Sequence, residues 1–301
     1  MDVNKVVILG GGVLGSQIAF QSAFSGIETV IYDISDKAIS AAKEKIATLP
    51  PQYKRDLAVS DDRLAVAAAQ LSLTTDLESA ISHADVIIEA VPERLDIKKS
   101  SYASLQPYIG ANTLVLTNSS TLLPSQINDF VPNKERFLAM HFANLIWLHN
   151  AAEIMWAPGT PQNTIDDAVN FAEQIQMAPF KISTEISGYV MNALFLPLIN
   201  AALLLWADKD LDPIMIDQDW VVSMGVDRGP FGFVDIMGIN TAINIETGFY
   251  ENTKDERFKK VVAKLTKEYL EKGKMGVQSG EGFYKYPKPL YQQPEFRPTV
   301  K

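Results

Sequence analysis

Two of the chain's three histidines fall in MHFANLIWLHNAAEIM, residues 140–155. His141 closes an apolar run, with Asn144 three residues on and Glu153 twelve residues on. An imidazole titrates near neutral pH and can pass a proton to or from a reacting oxygen. A carboxylate on its far nitrogen would fix the tautomer and orient the ring. The same residues also fit a blander reading, a core histidine at a strand end and an unrelated acid. The stretch alone leaves both open.

A second stretch carries its own chemistry. VVILGGGVLGSQIAF, residues 6–20, places Gly10, Gly12 and Gly15 in G-x-G-x-x-G spacing, directly after a strand pattern and opening a helix pattern. Gly10 permits a tight turn, Gly12 lets the backbone approach a pyrophosphate, and Gly15 allows helix and strand to pack closely. The first helical turn, through Val13 and Leu14, offers N–H groups to phosphates. The next strand pattern ends at Asp33, 18 residues past Gly15. There a carboxylate accepts hydrogen bonds from an adenosine ribose and repels a 2′-phosphate, which favours NAD over NADP. A glycine turn without ligand is the alternative, and the register of strand, turn, helix and acid argues against it.

These residues need a frame to position them. Short apolar runs recur at 6–10, 29–33, 85–91, 113–118 and 137–142, separated by helix-period segments. That alternation predicts a doubly wound α/β domain with a parallel sheet, over residues 1–184. The interval near 34–70 is too long for one crossover helix, and Pro50-Pro51 splits it, so a projecting helix pair is expected there. Beyond 184 the pattern is helical, at 187–208, 213–224, 231–246 and 255–273, which predicts an all-helical second domain over 185–301. The apolar segment 188–208 contains two Asn and a Pro and reads as a buried helix rather than a membrane span. The tail from Lys285 is expected to be extended.

Composition sets outer limits. A net charge of −9 argues against a nucleic-acid or anionic-membrane surface. Zero cysteines exclude disulfides and thiolate metal sites and fit a reducing compartment. No metal site is expected. The first residues lack the pattern of a secretory signal, and a cytoplasmic location is the expectation.

Eight segments taken together resemble the NAD-dependent 3-hydroxyacyl-CoA dehydrogenases. They are LGGGVLGSQIA, ADVIIEAVPERLDIKK, TNSSTL, HFAN, AEIM, SGYVMN, RGPFGFVDIMG and SGEGFYKY, in that order over nearly the whole chain. Their wording is similar to that of the diketoreductase-like branch, whose members reduce keto esters. The resemblance implies His141 as the acid/base, Glu153 as its partner, and Ser120 and Asn192 as polar groups at the substrate. It also implies that Glu93, Lys98, Asn118 and Asn144 approach the cofactor, and that the helical domain forms a homodimer. The chain differs from the family wording at Ala143, Leu145, Ser187, Tyr189, Ala193 and Gln278. Those differences bear on the acyl carrier, coenzyme A or a simpler ester or acid, including 3,5-dioxo compounds. The lysines and arginine at 37, 43, 45, 54 and 55 read as a solvated face, with coenzyme A phosphates as the alternative. His83 and His149 match no family position, and Asn200 reads as a satisfied buried amide. A Ser120–His141–Glu153 hydrolase is disfavoured because no G-x-S-x-G occurs. A non-catalytic NAD-binding protein would not need His141 and Glu153 at this spacing.

Overall fold

The computed structural model describes residues 1–298. The chain forms two compact units, Met1–Met191 and the described residues from Asn192 onward. The division falls at 191 rather than at 184 because the turn before the long helix bonds back to the sheet domain.

The first unit is built on one eight-stranded sheet ordered β3-β2-β1-β4-β5-β6-β7-β8. The first six strands, β1 (Lys5–Leu9), β2 (Glu28–Tyr32), β3 (Leu71–Thr74), β4 (Val86–Glu89), β5 (Leu114–Thr117) and β6 (Phe137–Phe142), run parallel. Every residue of β4, β5 and β6 is buried, which explains their unbroken apolar runs: helices cover both faces. β7 (Ala151–Met155) runs antiparallel to β6, and β8 (Ala178–Ile182) runs parallel to β7. The strand order reverses between β1 and β4, and ligands of open α/β sheets bind at the carboxyl ends around such a point.

Helix α1 (Val13–Phe24) lies against the sheet with ten of its residues buried, the polar Ser16, Gln17, Gln21 and Ser22 among them. The excursion holds three helices, α2 (Asp36–Ala47), α3 (Leu49–Leu57) and α4 (Asp61–Ala69), rather than a pair. Pro50 and Pro51 sit in the first turn of α3, where missing N–H groups cost nothing. Nor does the excursion project freely. Tyr53 is fully buried, 4.8 Å from Phe20 and 4.9 Å from Trp147 between ring centroids, and its hydroxyl donates to Gln21 Oε1 at 2.6 Å. Helices α5 (Leu77–Ile81), α6 (Leu95–Leu105), α7 (Pro124–Ile127) and α8 (Gln162–Gln174) complete the unit.

The second unit is helical. α9 (Tyr189–Ala207) leads into it, followed by α10 (Pro213–Met224), α11 (Pro230–Met237), α12 (Ile239–Thr253) and α13 (Glu256–Glu268). The single helix expected at 231–246 is broken at Gly238, whose φ of +91° ends α11. α9 is also not a wholly buried helix. Ile199, Ala202, Leu203 and Trp206 enter the core, whereas Leu194 is 71% exposed and Val190, Met191 and Leu205 are exposed too. It is long and apolar enough to cross a membrane, but its polar interruptions and its partial burial fit one face of a core helix better.

Two buried carboxylates tie the end of the chain into this core. Asp217 accepts from the Phe231 and Gly232 amides, each at 2.9 Å, and from the Tyr284 hydroxyl at 2.8 Å. Asp235 accepts from the Phe283 and Tyr284 amides at 2.8 Å and from the Tyr286 hydroxyl at 3.1 Å. Burial pushes both acids up to about 6 against the pull of these donors. The tail is not extended solvent-facing chain either: Tyr291 and Phe296 are buried in the same core. Residues 299–301 of the expected tail lie outside the described residues.

Candidate active site

The glycine turn sits where β1 hands over to α1. Gly10 adopts φ +100°, and a Cβ there would meet the Ala90 carbonyl oxygen at 2.8 Å. A Cβ on Gly15 would collide with the Gly10 carbonyl, so strand and helix approach as closely as the motif implies. A Cβ on Gly12 would meet nothing within 4 Å, which leaves open space beside the helix start. Gly12 caps α1 without any side-chain acceptor, so the first-turn N–H groups of Val13 and Leu14 remain available to an anion. Asp33, just past β2, faces this turn: its Oδ2 accepts from Gly11 N and its Oδ1 from Ile34 N, both at 2.8 Å. Backbone, helix start and carboxylate together fit a dinucleotide.

The twelve-residue spacing of His141 and Glu153 is a consequence of strand pairing. β6 and β7 are antiparallel, and their register sets His141 directly opposite Glu153. His141 is 4% exposed and Glu153 7%; Nδ1 lies 3.0 Å from Glu153 Oε2. With Nδ1 donating to the carboxylate, Nε2 is left to meet a reacting oxygen. Ser120 Oγ lies 3.2 Å from that Nε2. The other carboxylate oxygen of Glu153 accepts from the Val190 and Met191 amides at 3.0 and 2.9 Å, the first turn of α9. Both oxygens of the orienting acid are therefore held.

Ser120 is placed by Glu93. Its Oε1 accepts from the amides of Ser120 at 3.0 Å and Thr121 at 2.9 Å, and from the hydroxyls of Ser119 and Thr121. Burial works to raise the Glu93 carboxyl, but the Ser119 hydroxyl, the Lys98 ammonium and Thr121 outweigh it and bring it down to about 2. Lys98 stands behind this clamp rather than at an open face. It is 1% exposed, with Nζ 2.7 and 2.8 Å from the two oxygens of buried Glu89 and 3.2 Å from Glu93 Oε2. Tyr102 and Thr117 hydroxyls also donate to Glu89, which completes a fully bonded polar core under the loop.

The remaining candidates divide. Asn118 Oδ1 accepts from Phe142 N at 3.1 Å, which links the ends of β5 and β6. Asn144 is exposed in the reversal between β6 and β7. Asn192 stands in the first turns of α9, in the second unit. His83 and His149 are exposed. Among the described residues there is no cluster that could hold a metal ion.

Ser120, His141 and Glu153 make the hydrogen-bonded order of a hydrolytic triad, yet the loop lacks the means for acyl transfer. The amides beside Ser120 that would stabilise an oxyanion point at the Glu93 carboxylate instead. Glu89 and Tyr189 are participants that sequence reasoning did not single out. Glu89 left a trace, an acid inside an apolar strand with a lysine nine residues on; Tyr189 left none beyond its difference from the family wording.

Comparison with known proteins decides the family. Residues 5–186 match the profile of the 3-hydroxyacyl-CoA dehydrogenase NAD binding domain, and residues 188–286 that of the C-terminal domain of the same family. The chain belongs to the 3-hydroxyacyl-CoA dehydrogenase family. It is 26% identical to human mitochondrial hydroxyacyl-coenzyme A dehydrogenase, over 94% of this chain and 91% of that one. A probable 3-hydroxybutyryl-CoA dehydrogenase of Bacillus subtilis is 26% identical, over 95% and 98%. Among solved structures, a diketoreductase described as acting on dicarbonyl compounds is 40% identical, with a TM-score of 0.89 over 95% of this chain and 100% of that one. This 3-hydroxyacyl-CoA dehydrogenase homologue is thus an NAD-dependent oxidoreductase acting on CH–OH groups.

Proposed function

We propose that the chain interconverts a 3-hydroxyacyl compound and its 3-oxo partner, with His141 as acid/base. The observation that carries this reading is the buried His141–Glu153 pair with Ser120 Oγ at the free imidazole nitrogen. Bound NAD(H), held at Gly10–Gly15 and Asp33, would take up or supply the hydride. In the oxidative direction Nε2 removes the hydroxyl proton, and Glu153 holds the tautomer and balances the positive ring. In the reductive direction the same nitrogen returns the proton to the carbonyl oxygen. Ser120 donates to that oxygen as charge develops, and by family resemblance Asn192 assists. Asn118 and Asn144 are proposed near the nicotinamide end; Glu93 and Lys98 act there through the Ser120 loop. The exposed apolar face of α9 is proposed as the seat of a second copy of the chain, which light scattering in solution tests.

One observation favours a carrier simpler than coenzyme A. Part of the excursion's positive charge is already paired: Lys54 with Asp61 at 2.7 Å and Arg55 with Asp56 at 2.6 Å, while Lys45 donates to the Ala41 carbonyl at 3.1 Å. The 420 Å³ cavity between α1 and the excursion is lined by Lys45 as its one cation, beside Glu44. Two of the five cations are thus neutralised within the fold and a third is the cavity's only one, which is little for a nucleotide bearing several phosphates, and the likeness to a diketoreductase points the same way. Comparing kcat/KM for acetoacetyl-CoA and ethyl acetoacetate with NADH tests both layers. Turnover of neither refutes the reaction. A thioester preference above about 10⁴-fold, about 5.5 kcal/mol of transition-state binding, refutes the simpler carrier.

A further inference from the structure

We propose that Tyr189 is a positioning residue for the acid/base pair, registering the imidazole of His141 against the Ser120 loop. The ring of Tyr189 stacks on that of His141, with centroids 4.5 Å apart and planes 11° from parallel. Its hydroxyl donates to the carbonyl of Ser119 at 2.8 Å, one residue from Ser120. The side chain is fully buried, so neither contact exchanges with solvent.

The backbone supports the assignment. Tyr189 adopts φ +57°, directly after Gly188 at φ +83°. Left-handed backbone is uncommon for an aromatic residue, and such outliers persist only where the surroundings over-determine them. Here the surroundings do. The turn sends the Val190 and Met191 amides to Glu153 Oε1, and Ser187 Oγ to the Thr121 carbonyl at 3.1 Å. Four of the five residues from 187 to 191 thereby address the base through a ring, its carboxylate through two amides, and the Ser120 loop through two hydroxyls. An imidazole bonded only at its two nitrogens can still tilt about the line joining them. The stacked ring removes that freedom, and reacting groups need alignment as well as distance.

This inference rests on the proposed role of His141, and two measurements separate the two. Tyr189→Leu is expected to lower kcat by about 10–100-fold, the scale on which small misplacements act, while the NADH Kd stays within about twofold. Tyr189→Phe, which keeps the ring, is expected to recover kcat to within about fivefold of wild type. Tyr189→Leu with kcat within about twofold of wild type would overturn the assignment. NMR of the wild-type protein covers the case in which that variant does not fold, and needs no turnover. The His141 ring protons, identified by their disappearance in His141→Ala, should lie upfield of those of His83 and His149 through the ring current of Tyr189. Coincidence with the exposed histidines would equally overturn it, whereas inactivity of the wild type towards every 3-oxo compound would fault only the reaction.

Discussion

Glu246 offers a measurement of what an unneeded charge costs this fold. It sits fully buried on α12, and Oε2 has no partner. With its amide nitrogen facing the acceptors around it, Asn200 of α9 donates to Glu246 Oε1 at 2.6 Å and to the Leu196 carbonyl at 3.1 Å. Burial pushes the carboxyl from 4.5 up to about 7. Below pH 4.5 the group is neutral folded or unfolded, and its contribution to stability is fully present. As pH rises, the unfolded chain ionises first, and that contribution is lost by the time pH passes about 7. Over this window the loss is about 3 kcal/mol. The Asn200 donor favours the ionised form and returns about 1 kcal/mol, leaving about 2 kcal/mol. Glu246→Gln keeps shape and hydrogen bonding without the titration. Its melting temperature should match wild type near pH 4.5 and exceed it by about 5–10 °C at pH 8. Asp217 and Asp235, also raised, titrate alike in both proteins, so the difference isolates Glu246. Calorimetry from pH 4.5 to 8.5 checks it, and a wild-type-to-variant gap that stays constant across that range refutes the burial argument.

His141→Ala should lower kcat by about 10²–10⁴-fold with NADH affinity nearly unchanged; a variant keeping a third of wild-type kcat would remove His141 from the chemistry. Lys98→Met should destabilise the first unit by about 3–5 kcal/mol in urea titrations, because it leaves Glu89 buried without its cation. Adding Glu89→Gln should return much of that loss, and a single variant within 1 kcal/mol of wild type would show the pair to be dispensable.

The parts of the fold visible in the sequence are those whose signal is local. Unbroken apolar runs marked β1, β2, β4, β5 and β6, because strands covered on both faces have no polar alternation. β3, LSLT, is a partly exposed edge of four residues, and β8, APFKI, is mostly exposed and carries a proline; neither announces itself. Gly238 broke a helix that periodicity alone joined. The glycine turn and Asp33 were readable because motif and space coincide. The pairing of His141 with Glu153 was readable only through the family resemblance, since the spacing alone does not show that β7 runs against the sheet. Glu93, the fourth residue past β4, could not be seen reaching the amides of Ser120 and Thr121, contacts made across 27 and 28 residues of chain.

The C-terminal residues set a timetable for the second unit. Asp235 is made long before the groups that satisfy it, its Tyr284 donor lying 49 residues on, and Asp217 waits for the hydroxyl of the same tyrosine. At ribosomal speed that is about 2–10 s during which Asp235 lacks its tyrosine and amide partners, while Asp217 has its Phe231 and Gly232 amides but not its tyrosine. The β-sheet, whose last strand ends at Ile182, can close in that interval, but the helical unit cannot seal until Tyr286 has left the exit tunnel. A ribosome stalled between α13 and Tyr286 would therefore display a finished nucleotide-binding half followed by helices still open to chaperones.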